Sequence, residues 1–484
     1  MMKRASFRHF GFALTMPALL AGCSLAPAYH VPTSVTPTAA FKADPGWVPS
    51  NPSDAVAKGA WWTLFGDDTL NALEARVLIT NQNLAYYRAT YAQALSVVRV
   101  DQAALLPTIG VTADASRTGA ISTHGPASST FSAIGTASWA PDLWGALTNT
   151  KRQAAAQAQA SAAELANATL SAQGNLATDY FQLRGIDAQS TMLDQTIVSY
   201  QRSYDVTRNK YRAGTVSSSD VDTAHAQLAN AQAQRRDLDR QRVADETAIA
   251  VLVGENPSTF AIAKAPWNPE IPNVPGIVPS AVLERRPDIA NAERLVSAAN
   301  FNIGIQRAAF FPSVSLTAQL GTTAGSLGAL FGAATSAWSL GASVAETLLD
   351  FGARNAKVAG ARAAYDAAVA TYRQTVLSAF QEVESDLAGV AGYRAEAARY
   401  AEASQAADRA EKVTLNEYRA GTVDYTTVAT AQANAYGART TLIQNTVNEQ
   451  SAAVALIQAI GGEWTGGVDL HPSTKPPVAQ DAPQ

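Results

Sequence analysis

The chain has 484 residues, room for two or three ordinary domains, and a formal charge of −4 at pH 7. Charged residues are only 16% of it, against roughly a quarter in an average soluble domain. That balance argues against a nucleic-acid binder, which needs clustered Lys and Arg facing phosphates. The single cysteine excludes an internal disulfide and a cysteine-based metal site.

The first element is a leader. MMKRASFRHF is basic, and GFALTMPALLAGC adds a short apolar stretch ending in small residues, so residues 1–22 are expected to be a secretory signal peptide. Leu20-Ala21-Gly22-Cys23 resembles a bacterial lipobox, making Cys23 the expected lipid acceptor. Removal of Lys3, Arg4 and Arg8 takes the formal charge to −7. Ser24, not Asp, follows the cysteine, which does not signal inner-membrane retention. No later stretch has the 18 or so continuous apolar residues of a spanning helix.

Residues 24–60 are rich in Pro, Ser and Thr and read as an extended tether, the first part of a segment over 23–70. Helical patterning begins in WWTLFGDDTLNALEARVLITNQNL, with a helix from about Asn81 to Leu105 that Pro107 stops, inside a helical segment 71–107. Over 108–140 the period becomes two. Ile109, Val111, Ala113 and Ala115 alternate with polar or glycine positions, and Phe131, Ala133, Ala137 and Trp139 do so after a loop. These are strands with one apolar and one polar face. Helix resumes over 141–255: Leu147 to Tyr211 lacks proline, YRAGTVSSSD interrupts, and a shorter helix runs from Ser219 to Gly254. A Pro-rich bridge, 256–285, follows.

The whole order then recurs. A helix over 286–312 closes at Pro312, and 313–345 alternates through Val314, Leu316, Ala318, Leu320, Trp338, Leu340, Ala342 and Val344. Helices fill 346–461, a long one over about Ala353–Tyr418 and a last one to about Ile460, and a tail covers 462–484. YRAGTV stands at Tyr211–Val216 and again at Tyr418–Val423, an offset of 207 that also pairs Arg202 with Arg409, Leu170 with Leu377, and WG at 144–145 with FG at 351–352. An internal duplication follows. In each half the strand pair is expected at one end of the long helix and YRAGTV at the other, with two short helices stacked end to end beside it. Two isolated hairpins would expose unpaired edges and an apolar face, and four strands are too few for a membrane barrel. Three chains closing a barrel, apolar side to lipid and polar side to the bore, resolve both problems. Trp139 and Trp338 near strand ends fit aromatic girdles. A soluble sandwich is the plainer alternative, but it leaves long helices on every hairpin unexplained.

WWTLFGDDTLNALEARVLITNQNL, ERRPDIANAERLVSAAN, RAAFFPSVSL, LLDFGARNAKV and the paired YRAGTV segments resemble the outer-membrane factor (TolC-like) family, and the lipobox its lipoprotein branch. The resemblance implies an α+β membrane protein and homotrimer. A 12-stranded transmembrane β-barrel would continue into a 12-helix periplasmic α-barrel, with a mixed equatorial collar from about 45–70, 256–285 and the tail after Gly461. It implies a passive, non-enzymatic exit duct without cofactor. The partners would be a periplasmic adaptor protein, an inner-membrane resistance-nodulation-division transporter and outer-membrane lipid. Small toxic compounds or drugs are the expected cargo; type I protein secretion or metal efflux is the alternative, and a structural periplasmic coiled-coil lipoprotein a remote one.

The same resemblance makes the two hexapeptides periplasmic tips. Gly214 and Gly421 would supply the backbone freedom for chain reversal, and Thr215-Val216 and Thr422-Val423 the exposed contacts for adaptor hairpins; simple helix-ending turns are the alternative. Gate candidates are Tyr418, Asp424, Asp220 and Asp222, with Thr427 and Thr430 where family members carry an acidic ring. Asp220 and its neighbours could equally cap the following helix. An enzyme would need a constellation, but His9, His30, His124, His225 and His471 are scattered and no nucleophile or phosphate-loop motif appears.

Overall fold

In the computed structural model, residues 24–33, 41, 60–119, 127–267, 269–272 and 286–462 are described. The expected signal peptide, Cys23, bridge residues 273–285 and the tail beyond Gly462 lie outside them. The element order is a short 3-10 helix (Trp61–Phe65), α1 (Asp68–Thr80), α2 (Gln82–Ala103), β1 (Thr108–Thr118), β2 (Ser128–Trp139), α3 (Ala146–Arg212) and α4 (Ser218–Leu252). Then follow α5 (Pro287–Ala308), β3 (Ser313–Ala324), β4 (Ser336–Ala345), α6 (Ala353–Ala420) and α7 (Tyr425–Ala459). The helix expected from Asn81 to Leu105 is therefore preceded by another, and Asn81 is a buried joint rather than a helix start. Its Nδ2 donates to the Leu252 carbonyl at 2.7 Å and its Oδ1 accepts from Leu84 N at 3.0 Å. The paired helices have near-identical lengths, 67 and 68 residues for α3 and α6 and 35 each for α4 and α7. At 1.5 Å per residue each long helix extends roughly 100 Å.

The chain divides into two compact units: Met1–Thr33, Thr90–Ala162 and Asn291–Arg373 form the first; Ser34–Ala89, Ala163–Ala290 and Gln374–Gln484 the second. The first holds the sheet, antiparallel throughout in the order β1-β2-β3-β4. Its register aligns Val111 with Gly135, Gly135 with Leu320 and Leu320 with Trp338. Side chains directly opposite share a face, so all four predicted apolar sets fall on one side. Ser, Thr, Gln319 and Asp114 dominate the other, with Ile134, Ala337 and Ala345 the apolar exceptions. At the rim carrying the β1–β2 and β3–β4 turns the apolar face gives way to Arg117, Ser129, Thr322 and Ser336. On the outer strands β1 and β4 the apolar side chains lie bare, Ile109 and Val111 at 80% and 79% exposure, while those of β2 are half-buried. A soluble sandwich would cover them. No helix among the described residues is long and apolar enough to cross a membrane.

The segment Ser24–Thr33 is packed, not a free tether. Ser24 Oγ donates to Asn149 Oδ1 at 2.9 Å, Asn300 Nδ2 to the Pro27 carbonyl at 2.9 Å, Tyr29 to Glu293, and Arg373 Nε to the Thr33 carbonyl at 3.2 Å. Gly304 makes room for it, since a Cβ there would come within 2.7 Å of Ala26. Ala154, Ala156, Ala158 and Ala160 of α3 are buried in the same unit, where small side chains let helices approach closely. Asn291 Nδ2 donates across to the Ala160 carbonyl at 2.8 Å.

The second unit has a conventional aromatic and aliphatic centre. Trp61, Phe65, Leu70, Val77, Leu176, Tyr180 and Leu183 are buried, and the Asp67 carboxylate caps α1 by accepting from Thr69 N and Leu70 N. Ile186, Leu193 and Tyr200 of α3 pack on Leu228, Ala231 and Leu238 of α4 at three- to seven-residue steps.

Candidate functional site at the helical turns

Both hexapeptides fold into the same helix terminator. Gly214 and Gly421 take φ of 74° and 82°, the left-handed region where only glycine is unstrained. Thr215 N donates to the Lys210 carbonyl at 2.9 Å and Thr422 N to the Glu417 carbonyl at 3.0 Å, with each threonine hydroxyl on the same acceptor. This six-to-one closure satisfies carbonyls that a helix end otherwise orphans. Thr215 and Thr422 are exposed, whereas Val216 and Val423 are half-buried. Val423 packs against the cluster of Ala224, Tyr418, Tyr425 and Val428. At Val423 the expected exposure is thus shared with an inward packing role, because its β-branched side chain closes over the helix ends beneath it.

Of the acidic candidates, two are helix caps. Ser217 and Asp220 form a reciprocal capping box at the start of α4. Asp424 accepts from Thr427 N at 3.0 Å and from the Thr427 and Thr426 hydroxyls at 2.7 and 2.8 Å. Those bonds, the Thr427 hydroxyl foremost, hold its carboxyl below the usual carboxylate range. Asp222 is exposed. Thr427 and Thr430 are exposed and, with Ala406, Ala407, Ala410 and Asn434, line a groove of about 680 Å³. Arg419 reaches Asn416 Oδ1 at 3.3 Å rather than an acid.

Tyr418 is the centre of the turn region. It is 2% exposed, its hydroxyl is 2.8 Å from Thr207 Oγ1, and Lys210 Nζ donates to its carbonyl while lying 4.1 Å from its ring centroid. Burial first, then the charge of Asp220, raises its pKa, with Thr207 opposing. Its ring meets Tyr425 edge-on at 5.5 Å, and Tyr425 donates to Gln227 Oε1 at 3.1 Å. One latch therefore joins α3, α4, α6 and α7. The sequence singled out Tyr418 but not Thr207, Lys210, Gln227 or Tyr425.

A second polar network, further along the same helices, was not anticipated. Tyr180 donates to Asp67 Oδ2 at 2.7 Å and accepts from Arg184 Nε at 2.9 Å; Arg184 and Arg242 both grip Asp187, at 3.4 and 2.8 Å. The two arginines also donate to the Ala263 and Ile262 carbonyls at 2.8 and 2.6 Å, fastening the bridge to α3 and α4. At the 207 offset the Asp187–Arg242 pair becomes Arg394–Glu449, 3.3 Å apart, with its charges exchanged. That exchange was visible in the sequence once the offset was fixed. Glu74 is fully buried and neither carboxylate oxygen finds a partner among the described residues; burial pushes its pKa up to about 9.

A sheet with one apolar face, joined in sequence to very long alanine-rich helices that end in matched turns, defines a membrane-associated α+β protein. The family model described as outer membrane efflux protein matches residues 74–255 and 278–462. The chain belongs to that family. It is 29% identical over 478 residues to the toluene efflux pump outer membrane protein TtgC of Pseudomonas putida, covering 95% of this chain and 97% of that one. It is 27% identical over 423 residues to the pyoverdine export outer membrane protein OpmQ of Pseudomonas aeruginosa, covering 85% and 89%. Among solved structures it is similar to the outer-membrane channel OprN, with 28% identity, a TM-score of 0.82 and coverage of 91% and 99%. The Campylobacter jejuni CmeC outer membrane channel shares the fold at a TM-score of 0.86 and 24% identity, covering 93% and 97%.

Proposed function

We propose that this outer membrane efflux protein is the passive exit duct of a tripartite pump. It would be a homotrimer in which three internally duplicated chains close a 12-stranded barrel and a 12-helix periplasmic tunnel, with the lipid anchor at Cys23 and a collar around the tunnel. The observation that carries this reading is the four-stranded sheet: one face is apolar and bare on the outer strands, the other polar, and both outer strands have free edges. In water such a sheet is an aggregation hazard; closed among copies in lipid, every edge is satisfied. The second supporting feature is the matched pair of turns, which three chains would present as six to a periplasmic adaptor, with a resistance-nodulation-division transporter supplying the energy. Tyr418, latched to Thr207 and Lys210, is the gate residue the geometry favours; Asp220 and Asp424 act in helix capping.

Cargo would be small organic toxicants, including drugs, in keeping with relatives named for toluene and for pyoverdine. Deletion of the gene, followed by susceptibility profiling with plasmid complementation, tests this. Lowered resistance to several unrelated small molecules is expected. Unchanged susceptibility with loss of a secreted protein would overturn the cargo reading, and a soluble monomer without detergent would overturn the duct.

A further inference from the structure

Two corresponding strand-to-helix connections behave in opposite ways. After β2, Trp144 stacks on Phe311 with ring centroids 4.8 Å apart and planes at 24°, and its Nε1 donates to the Pro312 carbonyl at 2.7 Å. Phe310-Phe311-Pro312 leads into β3, the strand beside β2, so the chain leaving one strand seats on the chain entering its neighbour. At the 207 offset Phe351 stands where Trp144 does. Yet Phe351 is 93% exposed and Leu348 91%, because β4 is an edge with no neighbour beyond it. The segment entering the opposite edge, Leu105-Leu106-Pro107, matches Phe310-Phe311-Pro312, and Leu106 is 64% exposed. One edge carries an unfilled knob and the other an unfilled seat.

Phe351 also has φ of 51°, and it is the one non-glycine residue in the left-handed region among those described. A bulky side chain there is strained and persists only where its surroundings enforce it. They do: Asp350 accepts from Gly352 N at 3.1 Å and Arg354 N at 2.9 Å, and Arg354 pairs with Asp350 at 2.8 Å and Glu346 at 2.9 Å. The knot fixes the backbone and leaves the ring unpacked.

We infer that Phe351 inserts against Leu106 and Pro107 of a second copy of this chain, where β4 of one copy joins β1 of the next. The inference rests on the trimeric reading above and names its anchor. Carrying the β2–β3 register across the seam sets Val344 opposite Ala113 of the second copy and Ala342 opposite Ala115, so the apolar face continues unbroken. Knob and seat lie on opposite edges, so the contact is head-to-tail and repeats until the ring closes. Membrane lipid is the competing occupant of the exposed ring; the filled seat under Trp144, at the corresponding position, favours protein.

The test uses the full chain in detergent. Leu106→Cys combined with Phe351→Cys, treated with a short bis-maleimide, is expected to give dimer and trimer bands on a denaturing gel that neither single variant gives. Trp144→Cys with Phe311→Cys links within one chain and should give no ladder. Phe351→Trp should keep the heat-sensitive trimer, and Phe351→Asp should lose at least nine-tenths of it. Phe351→Gly relieves the backbone strain yet should weaken the trimer, an effect opposite to that of a merely structural residue. A wild-type trimer with no ladder from the double variant, and with Phe351→Asp still trimeric, would assign the ring to lipid and overturn the inference. A monomeric wild type would instead overturn the trimer itself.

Discussion

Glu74 sits where a carboxylate is least welcome, and replacing it should stabilise the protein in a pH-dependent way. The side chain is fully buried with no partner among the described residues, and burial raises its pKa from 4.5 to about 9. A carboxyl whose folded pKa lies above its unfolded value favours folding fully below the unfolded value, near pH 4.5. That contribution fades as pH rises towards 9, because the unfolded chain ionises freely while the folded one must stay neutral. At pH 7 the gap between pH and the unfolded pKa costs about 3 kcal/mol, taking 1.36 kcal/mol per unit. Glu74→Gln keeps the shape and removes the ionisation. Amide exchange in α1, corrected for the intrinsic rate at each pH, should therefore show equal opening free energies for both proteins at pH 4.5. By pH 7 the variant should exceed wild type by about 3 kcal/mol. Parallel pH profiles for the two proteins would refute the buried, neutral Glu74.

Asp187→Ala leaves Arg184 and Arg242 without their shared carboxylate and should cost about 3–5 kcal/mol, read as earlier thermal unfolding and faster proteolysis at the bridge. The exchange Asp187→Arg with Arg242→Glu copies the Arg394–Glu449 arrangement and should recover part of the α3–α4 pairing, although the Arg184 contact is lost. Tyr418→Phe removes the bond to buried Thr207, worth about 1 kcal/mol, and should raise single-channel conductance in planar bilayers; unchanged conductance would exclude Tyr418 from the gate. Gly421→Ala places a Cβ at φ of 82° with no clash within 4 Å, so it should cost only the backbone strain, about 1 kcal/mol. Asp179 is raised to about 6, by burial and then by Asp245. Its contribution to stability is whole below about pH 4 and lost through pH 6, so Asp179→Asn should flatten the decline in melting temperature between about pH 4 and 6.

Much of this architecture was legible in the letters because it is built from local periods. Alternation over Ile109–Ala115 and Val314–Leu320 decides which side chains share a face before any pairing is known. The absence of proline between Leu147 and Tyr211 permits one unbroken helix, and the glycine in YRAGTV ends it. The 207 offset marked corresponding positions such as Arg202 with Arg409 and Leu170 with Leu377, and it also held the exchanged Asp187–Arg242 and Arg394–Glu449 charges, a signal that was not drawn from it. What periodicity could not supply was the partner of each polar atom. Asp220 and Asp424 were candidates for both the gate and helix capping, and only the structure shows the caps, where a carboxylate at a helix start is captured by backbone amides three residues away. Thr207 and Gln227 carry no signal until Tyr418 and Tyr425 arrive beside them from some 200 residues away. Sequence alone determined the elements and their faces, because those depend on neighbours a few residues apart. Only the tertiary structure decided that Glu74 is stranded, that Trp144 finds its seat and that Phe351 does not, because each depends on which distant segment lies against it.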